Sequence, residues 1–375
     1  MSKAAELAAL IANVNKGSSL ANKNLVINGA MNVAQRGTSF SFAHDGTTSA
    51  FTLDRFKFIV SNTDEFDGTL TQATDVPSGE GFVNSLKWTT GTAESALASN
   101  EVMYIEHMVE AQNVAGLRYG TADAKPVTLS FWVKSSITGT FNSGIFQSDG
   151  SRIITKTYTI SSANTWEYKT LTFAGDTSGT INDDNGEGLR PIWNIFSGSD
   201  YTSSDSTSWG SYSSATWAYG HAQNAHATTA GATFLLTGVQ LEIGEKATEF
   251  EYEPYEATLE KCHRYYEAHT LNSYTNIGFS YSTTQFIIPY HWKVEKRASP
   301  TFSFPTVGTS SGNLGVTVAT GNYPSTHGSV LRGSAQPTQG YIYNNAGDGY
   351  AGLTDDHICI LYGFNSPILA LDAEL

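Results

Sequence analysis

The residues best suited to metal or acid–base chemistry are carboxylates in a turn rich in glycine. Asp183, Asp184 and Glu187 lie close together in the sequence, and their hard oxygen donors would suit Ca²⁺. The spacing of an EF-hand loop fails, however, because Ile181 and Ile192 stand at its first and twelfth positions. The alternatives are a calcium site and a solvated turn, and the sequence favours the turn. We therefore predict that no metal is needed for folding.

Motifs of common enzymes are missing from the sequence. It contains no Gly-x-Ser-x-Gly, no phosphate-binding loop and no His-Glu-x-x-His. A glycosidase needs two carboxylates at a fixed separation across the sugar, and no motif selects such a pair. The histidines are scattered, and His107 stands among apolar neighbours, which is typical of a core residue. We predict a protein that is not an enzyme and that uses no cofactor.

Aromatic residues combined with short polar residues could bind sugars. An aromatic ring stacks on the apolar face of a pyranose, and Asn, Asp, Gln or Ser groups bind its hydroxyls. Core aromatics look the same in sequence, so this composition alone selects no site. The long polar segment from Ser197 to Ala230 contains several aromatics, including Trp209 and Trp217. Loops of this length are usually functional or disordered, and the aromatics favour an ordered loop that packs or binds.

The composition of the chain indicates an all-β protein with many turns. The 375 residues suggest two to three domains, and glycine is frequent whereas runs with a helical period are scarce. The net charge of −14 argues against a nucleic-acid or anionic-membrane surface, since both need clustered Lys and Arg. No apolar run approaches the roughly 20 residues that span a bilayer, and no signal core follows the N-terminus. Cys262 and Cys359 match no zinc or redox spacing, so we predict small buried hydrophobic residues.

Several segments alternate as half-buried antiparallel strands do. Val127, Leu129, Phe131 and Val133 alternate with polar residues and Trp132, and similar segments recur at spacings typical of a β-sandwich. Between Thr237 and Ile243 the odd-numbered residues are expected to point one way.

The two ends of this β region carry helical patterns. After Pro254, the residues Leu259, Cys262, His263 and Tyr266 share one helical face. At the N-terminus, Ser2 to Val14 predicts a helix with apolar residues at heptad positions. That helix either packs on its own domain or bundles on the axis of a larger trimer, because two heptads are too short to associate alone.

Three groups of motifs resemble a family of bacteriophage tail-fibre proteins. The first group lies near the N-terminus, the second before and after Pro254, and the third near the C-terminus. They comprise Asn28, Gly29, Met31, Val33, Gln35 to Phe40 and Thr52 to Phe56; Val239 to Glu242, Ala247 to Phe250 and Cys262 to Tyr266; and Arg297, Pro300, Thr301 and the terminal Asp-Ala-Glu-Leu. The chain departs from the family pattern at Ala34, where an aromatic is common, and at Lys296, where the family has Met.

The resemblance implies a fold and a division into domains. The expected fold is all-β: a jelly-roll β-sandwich similar to carbohydrate-binding modules, followed by a short helix and a small C-terminal β domain, with a short N-terminal helix. The expected domains are residues 1–23 for virion attachment and trimerisation, 24–254 for the jelly roll, 255–268 for the linker helix and 269–375 for the C-terminal tip.

The resemblance also implies a function. It predicts a homotrimeric tail fibre or receptor-binding protein of the virion, assembled in the host cytoplasm and attaching to a host surface polysaccharide or lipopolysaccharide. Its N-terminal helix would bind other tail proteins. The alternatives are a structural fibre or adaptor protein of the virion and a tailspike that cleaves the glycan.

Receptor contact is expected in the loops of the C-terminal domain, within Gly308 to Tyr350, because the opposite end is the expected anchor. This segment has the mix of Gly, Ser, Asn and Tyr that makes adaptable polar loops. The same tyrosines could instead fill gaps between subunits. The candidate ligand-binding residues are Tyr323, His327, Arg332, Tyr341, Tyr343 and Tyr350, with Trp209 and Trp217 of the long loop next.

Overall fold

Alternating apolar and polar residues form antiparallel strands over most of the chain. The computed structural model describes residue 3 and residues 23–43, 46–270, 276–303, 314–318, 321–324, 332–344, 353, 357–363 and 368–375. Every strand pair among them is antiparallel, and helices are short, which confirms the predicted all-β class. Apart from Lys3, the predicted helix from Ser2 to Val14 lies outside the described residues.

The chain divides into two compact units. Unit 1 contains the described parts of Met1–Asn32, Thr38–Thr52 and Phe56–Glu253. Unit 2 contains Val33–Gly37, Leu53–Arg55 and the described parts of Pro254–Leu375.

Unit 1 is a β-sandwich of two sheets, with strands numbered in chain order. From edge to edge, the first sheet contains β1 (Ser39–Phe42), β4 (Gly68–Ala73), β5 (Ser85–Thr90), β14 (Thr233–Ile243), β8 (Val127–Ser135) and β11 (Glu167–Phe173). The second contains β13 (Gly210–Ser211), β10 (Arg152–Ile160), β9 (Gly139–Gln147), β12 (Glu187–Ser197), β6 (Val102–His107), β3 (Phe56–Thr63) and β2 (Gly46–Phe51), while β7 (Val109–Glu110) pairs with β12.

Aromatic residues from both sheets fill the core of unit 1. Phe58 of β3 stacks on Trp88 of β5 with ring centroids 4.7 Å apart. Phe131 of β8 meets Trp193 of β12 edge to face at 6.0 Å. All four side chains are fully buried, so these contacts join the two layers directly.

The long segment from Ser197 to Ala230 is ordered by short elements. It contains 3₁₀ turns at Ser199–Tyr201 and Ser214–Thr216, strand β13 and helix α1 (Ala225–Thr228). A further 3₁₀ helix, Ala111–Leu117, follows β7.

The part of unit 2 that follows Pro254 opens with helix α2 (Tyr255–His263), which is shorter than the predicted 255–268. Residues Tyr266–Thr270 instead form strand β15, which pairs with β24 (Ile368–Asp372). Local sequence favours a helix here, but pairing with the C-terminal strand supplies hydrogen bonds and burial that the helix would not, so tertiary structure overrides the local pattern.

The strands of unit 2 form two sheets. The first has the order β15, β24 and β18 (Thr301–Ser303). The second has β20 (Gly321–Pro324), β19 (Leu314–Val318), β23 (His357–Gly363), β16 (Asn276–Ser280), β17 (Phe286–His291), β22 (Gln339–Tyr343) and β21 (Arg332–Ala335). The core of unit 2 includes Phe286, Ile288, Trp292, Cys359 and Leu371.

Two N-terminal motif segments belong to unit 2, where their arginines bind the C-terminal residues. Arg36 pairs with Asp372 at 3.1 Å and with Glu374 at 3.2 Å, and Arg55 also pairs with Glu374. Arg36 lies 3.5 Å from the ring centre of Tyr266, and Arg55 lies 3.4 Å from that of Tyr265. Residues of motifs distant in sequence thus meet in one cluster of ion pairs and cation–π contacts.

Other sequence predictions in this unit concern buried residues. Both cysteines, Cys262 and Cys359, are buried and free, as predicted. Lys296 is buried and pairs with buried Glu267. No helix among the described residues is long and apolar enough to cross a bilayer.

Candidate functional site

An aromatic platform lies on the outer face of the first sheet of unit 1. Along β8, Phe131 and Val133 are fully buried in the core, so Ser130 and Trp132 point to the other face. Strand β11 pairs with β8 so that Tyr168 is directly opposite Trp132. Their ring centroids are 5.4 Å apart with an angle of 48° between the rings. Tyr168 is 45% exposed, so much of its ring is open to solvent.

Hydroxyl groups lie beside this platform. Thr170 is paired in register with Ser130, one step along the same two strands. Both residues line the groove together with Trp132 and Tyr168. The floor therefore combines two aromatic rings with two hydroxyls.

One wall of the groove is the segment from Glu245 to Tyr252, held by buried polar side chains of β14. The Glu242 carboxylate accepts hydrogen bonds from the backbone N–H and the hydroxyl of Thr248, both at 2.8 Å. Gln240 donates to Glu242 at 2.9 Å and accepts from the backbone N–H of Glu251 at 2.9 Å. Gln240 and Glu242 are buried under this segment.

The structure departs from the prediction that the odd-numbered residues from Thr237 to Ile243 all point one way. Gln240 and Glu242 are buried as well as Val239 and Leu241, and Ile243, expected on the same face as Leu241, is exposed. The register of β14 shifts between Thr237 and Gln240, where Gly238 has φ of +60°. This local bulge and the segment that covers β14 decide which side chains are buried. Neither feature is visible in the period-two pattern of the sequence.

A second segment of the groove wall runs from Gly79 to Phe82. Phe82 packs against Phe250 at 5.0 Å and against Tyr252 at 5.4 Å between ring centroids. The Tyr252 hydroxyl donates to the carbonyl oxygen of Glu80. Burial raises the pKa of Tyr252, with the Glu80 carboxylate adding to the effect, so its phenol stays a neutral donor.

A glycine brings the floor and this wall together. At Gly238 an added Cβ would lie 2.6 Å from Phe82 and 3.0 Å from Trp132, so a larger residue would displace an aromatic side chain. The resulting groove has a volume of about 890 Å³. That volume lies in the range of pockets that hold small organic ligands.

The groove is suited to binding uncharged polar rings. Trp132 and Tyr168 offer apolar faces, and Ser130 and Thr170 offer hydroxyls. The charged residues of the lining, Glu80, Glu245, Lys246 and Glu249, are exposed. An acid–base pair for glycoside cleavage normally requires one carboxyl group in an apolar environment, and the carboxylates of this lining are solvated instead.

The predicted ligand-binding residues of the C-terminal domain are only partly described. Tyr341 and Tyr343 lie on β22 with ring centroids 5.6 Å apart, and Tyr341 is 40% exposed. Tyr323 and Arg332 lie on β20 and β21, and of these two residues only the backbone is described. His327 and Tyr350 lie outside the described residues.

The predicted tryptophans of the long loop pack within unit 1. Trp217 is 5% exposed and contacts the rings of Tyr104, Phe146 and Tyr212, so its faces are covered. The indole of Trp209 donates to the carbonyl oxygen of Ala174 at 2.6 Å. Neither residue lines the groove.

Two of the predicted acids of the glycine-rich turn, Asp184 and Glu187, have local partners. Glu187 pairs with Arg190 through two hydrogen bonds of 2.7 and 2.6 Å, and Asp184 accepts from the backbone N–H of Gly186 at 2.8 Å. Within the described parts of the chain, no group of three or more His, Cys, Asp or Glu residues could hold a metal ion. His107 is fully buried and accepts from the backbone N–H of Ile27 at 3.1 Å, as predicted for a core residue.

The groove residues were not predicted as a site. The alternation along β8 already separated Trp132 from Phe131, so an exposed Trp on a strand was the available signal. Phe82 and Tyr252 are distant in sequence and carried no comparable signal, because only the folded walls bring them to the same groove.

Comparisons with known proteins give weak similarities. No protein-family model matches the chain, and no curated protein matches it. A solved structure of the enzymatically active domain of tailspike protein 4 from bacteriophage CBA120 is similar, with 14% identity and a TM-score of 0.31 over 59% of this chain and 21% of that chain. The match thus spans about a fifth of the length of the tailspike structure.

Two carbohydrate-binding modules are also similar. One is a family 11 module from Clostridium thermocellum in complex with a β-1,3-1,4-mixed-linked tetrasaccharide, with 10% identity, a TM-score of 0.27, and coverage of 56% of this chain and 91% of that chain. The other is a family 61 module in complex with β-1,4-galactotriose, with 8% identity, a TM-score of 0.28, and coverage of 59% and 99%. Similarities this low assign no function to the chain.

Proposed function

We propose that unit 1 binds a glycan in the groove lined by Trp132 and Tyr168. The observation that carries the proposal is the platform formed by these two rings beside the hydroxyls of Ser130 and Thr170. Rings of this kind cover the C–H faces of a sugar, while the hydroxyls bind its polar edge. Rigid strands hold all four side chains, so little freedom is lost on binding.

We further propose that the chain is a receptor-binding protein of a phage tail, acting as a homotrimer that attaches the virion to a host surface polysaccharide or lipopolysaccharide. The motifs that resemble the tail-fibre family support this proposal. Three copies of the groove would bind a repetitive glycan with an avidity well above the affinity of one groove.

The function we propose is binding without cleavage. The carboxylates of the groove are solvated, whereas a general acid needs an environment that favours its protonated form. Incubation with host polysaccharide is expected to release no product. A ladder of shortened products would contradict the proposal and support the tailspike alternative.

The test of glycan binding uses the purified full chain on a panel of host surface polysaccharides. We expect Trp132→Ala and Tyr168→Ala each to weaken binding about twofold to tenfold, because a stacking contact contributes about 0.5–1.5 kcal/mol. The matched control is Tyr212→Ala, an exposed tyrosine outside the groove.

Two results would change this assignment. Unchanged binding in both groove variants would contradict the groove, and Tyr341→Ala and Tyr343→Ala would then test the C-terminal domain. Absence of binding to host cells by the unaltered chain would favour the structural fibre or adaptor.

A further inference from the structure

Beyond the platform of the groove, the same sheet face carries a third aromatic residue, Trp166, with charged residues beside it. Trp166 precedes β11 and donates its indole N–H to one oxygen of Asp75 at 3.0 Å. The other oxygen of Asp75 accepts from the ammonium group of Lys134 at 2.7 Å. Lys134 is on β8, on the same face as Trp132, so the three residues form one cluster on the binding face of the sheet.

The cluster continues the line of the groove by one step. Lys134 lies two residues beyond Trp132 on β8, a distance of about 6.6 Å along a strand. Trp166 lies two residues before Tyr168 on the antiparallel neighbour, so it extends the platform in the same direction. The step is comparable to the length of one sugar unit in a polysaccharide.

The cluster retains hydrogen-bonding capacity for hydroxyl groups. An ammonium group has three donors, and among the described residues Lys134 donates to Asp75 alone. A carboxylate has about four acceptor positions, of which Lys134 and Trp166 occupy two. The side chain of Asp75 is 45% exposed, so hydroxyls can reach it.

Asp75 remains ionised over the working pH range. Partial burial would raise the pKa of Asp75, but the hydrogen bonds from Lys134 and Trp166 outweigh burial and hold it below its usual range. An ionised carboxylate is a strong acceptor for sugar hydroxyls.

We propose that Trp166, Lys134 and Asp75 form a second subsite, which binds the next sugar unit of a chain already held on Trp132 and Tyr168. The proposal rests on glycan binding in the groove and adds its extent and direction. The protein would then bind the interior or the long ends of glycan chains. Its affinity would rise once the oligosaccharide is long enough to reach Trp166.

The test measures affinity against oligosaccharide length by calorimetry with the full chain. The probes are a disaccharide to hexasaccharide series prepared from the polysaccharide that the unaltered protein binds in the panel. We expect affinity to rise with length and then to level off. The readout for each variant is the ratio of its affinities for the long and short oligosaccharides.

Three variants separate the subsite from the platform. Trp166→Ala is expected to lower the long-to-short ratio about twofold to tenfold, as loss of one stacked ring implies. Trp166→Phe keeps a ring and is expected to restore most of the ratio, although it loses the bond to Asp75. Trp132→Ala is expected to weaken binding at every length, and Tyr212→Ala serves as the control outside both sites.

The outcomes distinguish the two proposals. If no polysaccharide of the panel binds the unaltered protein, glycan binding in the groove is refuted and the subsite with it. If oligosaccharides bind but Trp166→Ala leaves the ratio unchanged, the groove stands and the subsite is refuted. A lower melting temperature in Trp166→Ala with an unchanged ratio would give Trp166 a structural role only.

Discussion

At the scale of single residues, two buried histidines give unit 1 a dependence on pH. Burial lowers the pKa of His221 to about 4 and that of His226 to about 3. His226 lies 2.9 Å from the hydroxyl of Ser135 through Nε2, and both imidazoles contact the ring of Phe141. Their environment therefore favours the neutral form.

The sign of this dependence follows from proton binding in the two states. In the unfolded chain these histidines take up protons near pH 6.5, whereas in the folded protein they remain neutral down to about pH 4. The unfolded state then binds more protons, so the free energy of unfolding falls as the pH drops below about 6.5. Each histidine contributes a slope of at most about 1.4 kcal/mol per pH unit.

We predict that His226→Gln flattens this dependence. Urea unfolding at several pH values between neutral and acidic should show a smaller loss of stability in the variant than in the parent, by about one proton. His291→Gln is the control, because His291 is exposed and lies outside unit 1. Equal slopes in parent and His226→Gln would show that His226 already carries a proton in the folded state or stays neutral in the unfolded one.

At the scale of elements, the wall from Glu245 to Tyr252 depends on a short set of polar contacts. The hydroxyl of Thr248 donates to the buried carboxylate of Glu242 and accepts from the ammonium group of Lys23 at 2.6 Å. Thr248 therefore links Lys23, strand β14 and the wall. A hydrogen bond to a charged group contributes about 1.5–3 kcal/mol.

We predict that Thr248→Val weakens glycan binding whereas Thr248→Ser does not. Valine keeps the shape but leaves the Glu242 carboxylate with one donor fewer, so the wall carrying Phe250 and Tyr252 loses its fixed position. Serine keeps the hydroxyl and tests rescue. Affinity is measured well below the melting temperature of every variant, where reduced stability alone would not change the affinity. Equal affinity of Thr248→Val and the parent would contradict a positioning role for Thr248.

The sequence predicted the strands better than it predicted their surroundings. Alternation located β8 correctly and separated Trp132 from Phe131, because one face of that strand packs in the core. It did not show that Gln240 and Glu242 are buried, since the chain segment that covers them lies beyond the strand and the strand itself carries a bulge. It also failed at Tyr266, where pairing with a strand at the far end of the chain replaced a helix. Such effects depend on contacts between distant residues, which a local period does not contain.

At the scale of the whole molecule, unit 2 exposes an apolar face. On β16 and β23, Ile277 is 65% exposed, Phe279 57% and Ile358 59%. Phe279 is paired in register with Ile358, and Ile277 with Ile360, so these residues are neighbours on one side of the sheet. Contiguous apolar patches on soluble proteins usually mark an interaction surface.

We predict that the full chain is a homotrimer and that this face of unit 2 takes part in the association. Light scattering is expected to give three times the chain mass of 40.4 kDa. Phe279→Asp should lower the mass to that of one chain, because a charge would be desolvated at the centre of the contact. The control is Val83→Asp, at an exposed apolar residue of unit 1, which should leave the mass unchanged. A monomeric parent at micromolar concentration would refute the trimer. If Phe279→Asp is still a trimer, other surfaces hold the subunits together. Deletion of residues 1–22 would then test whether the heptad pattern of Ser2 to Val14 is needed for the trimer.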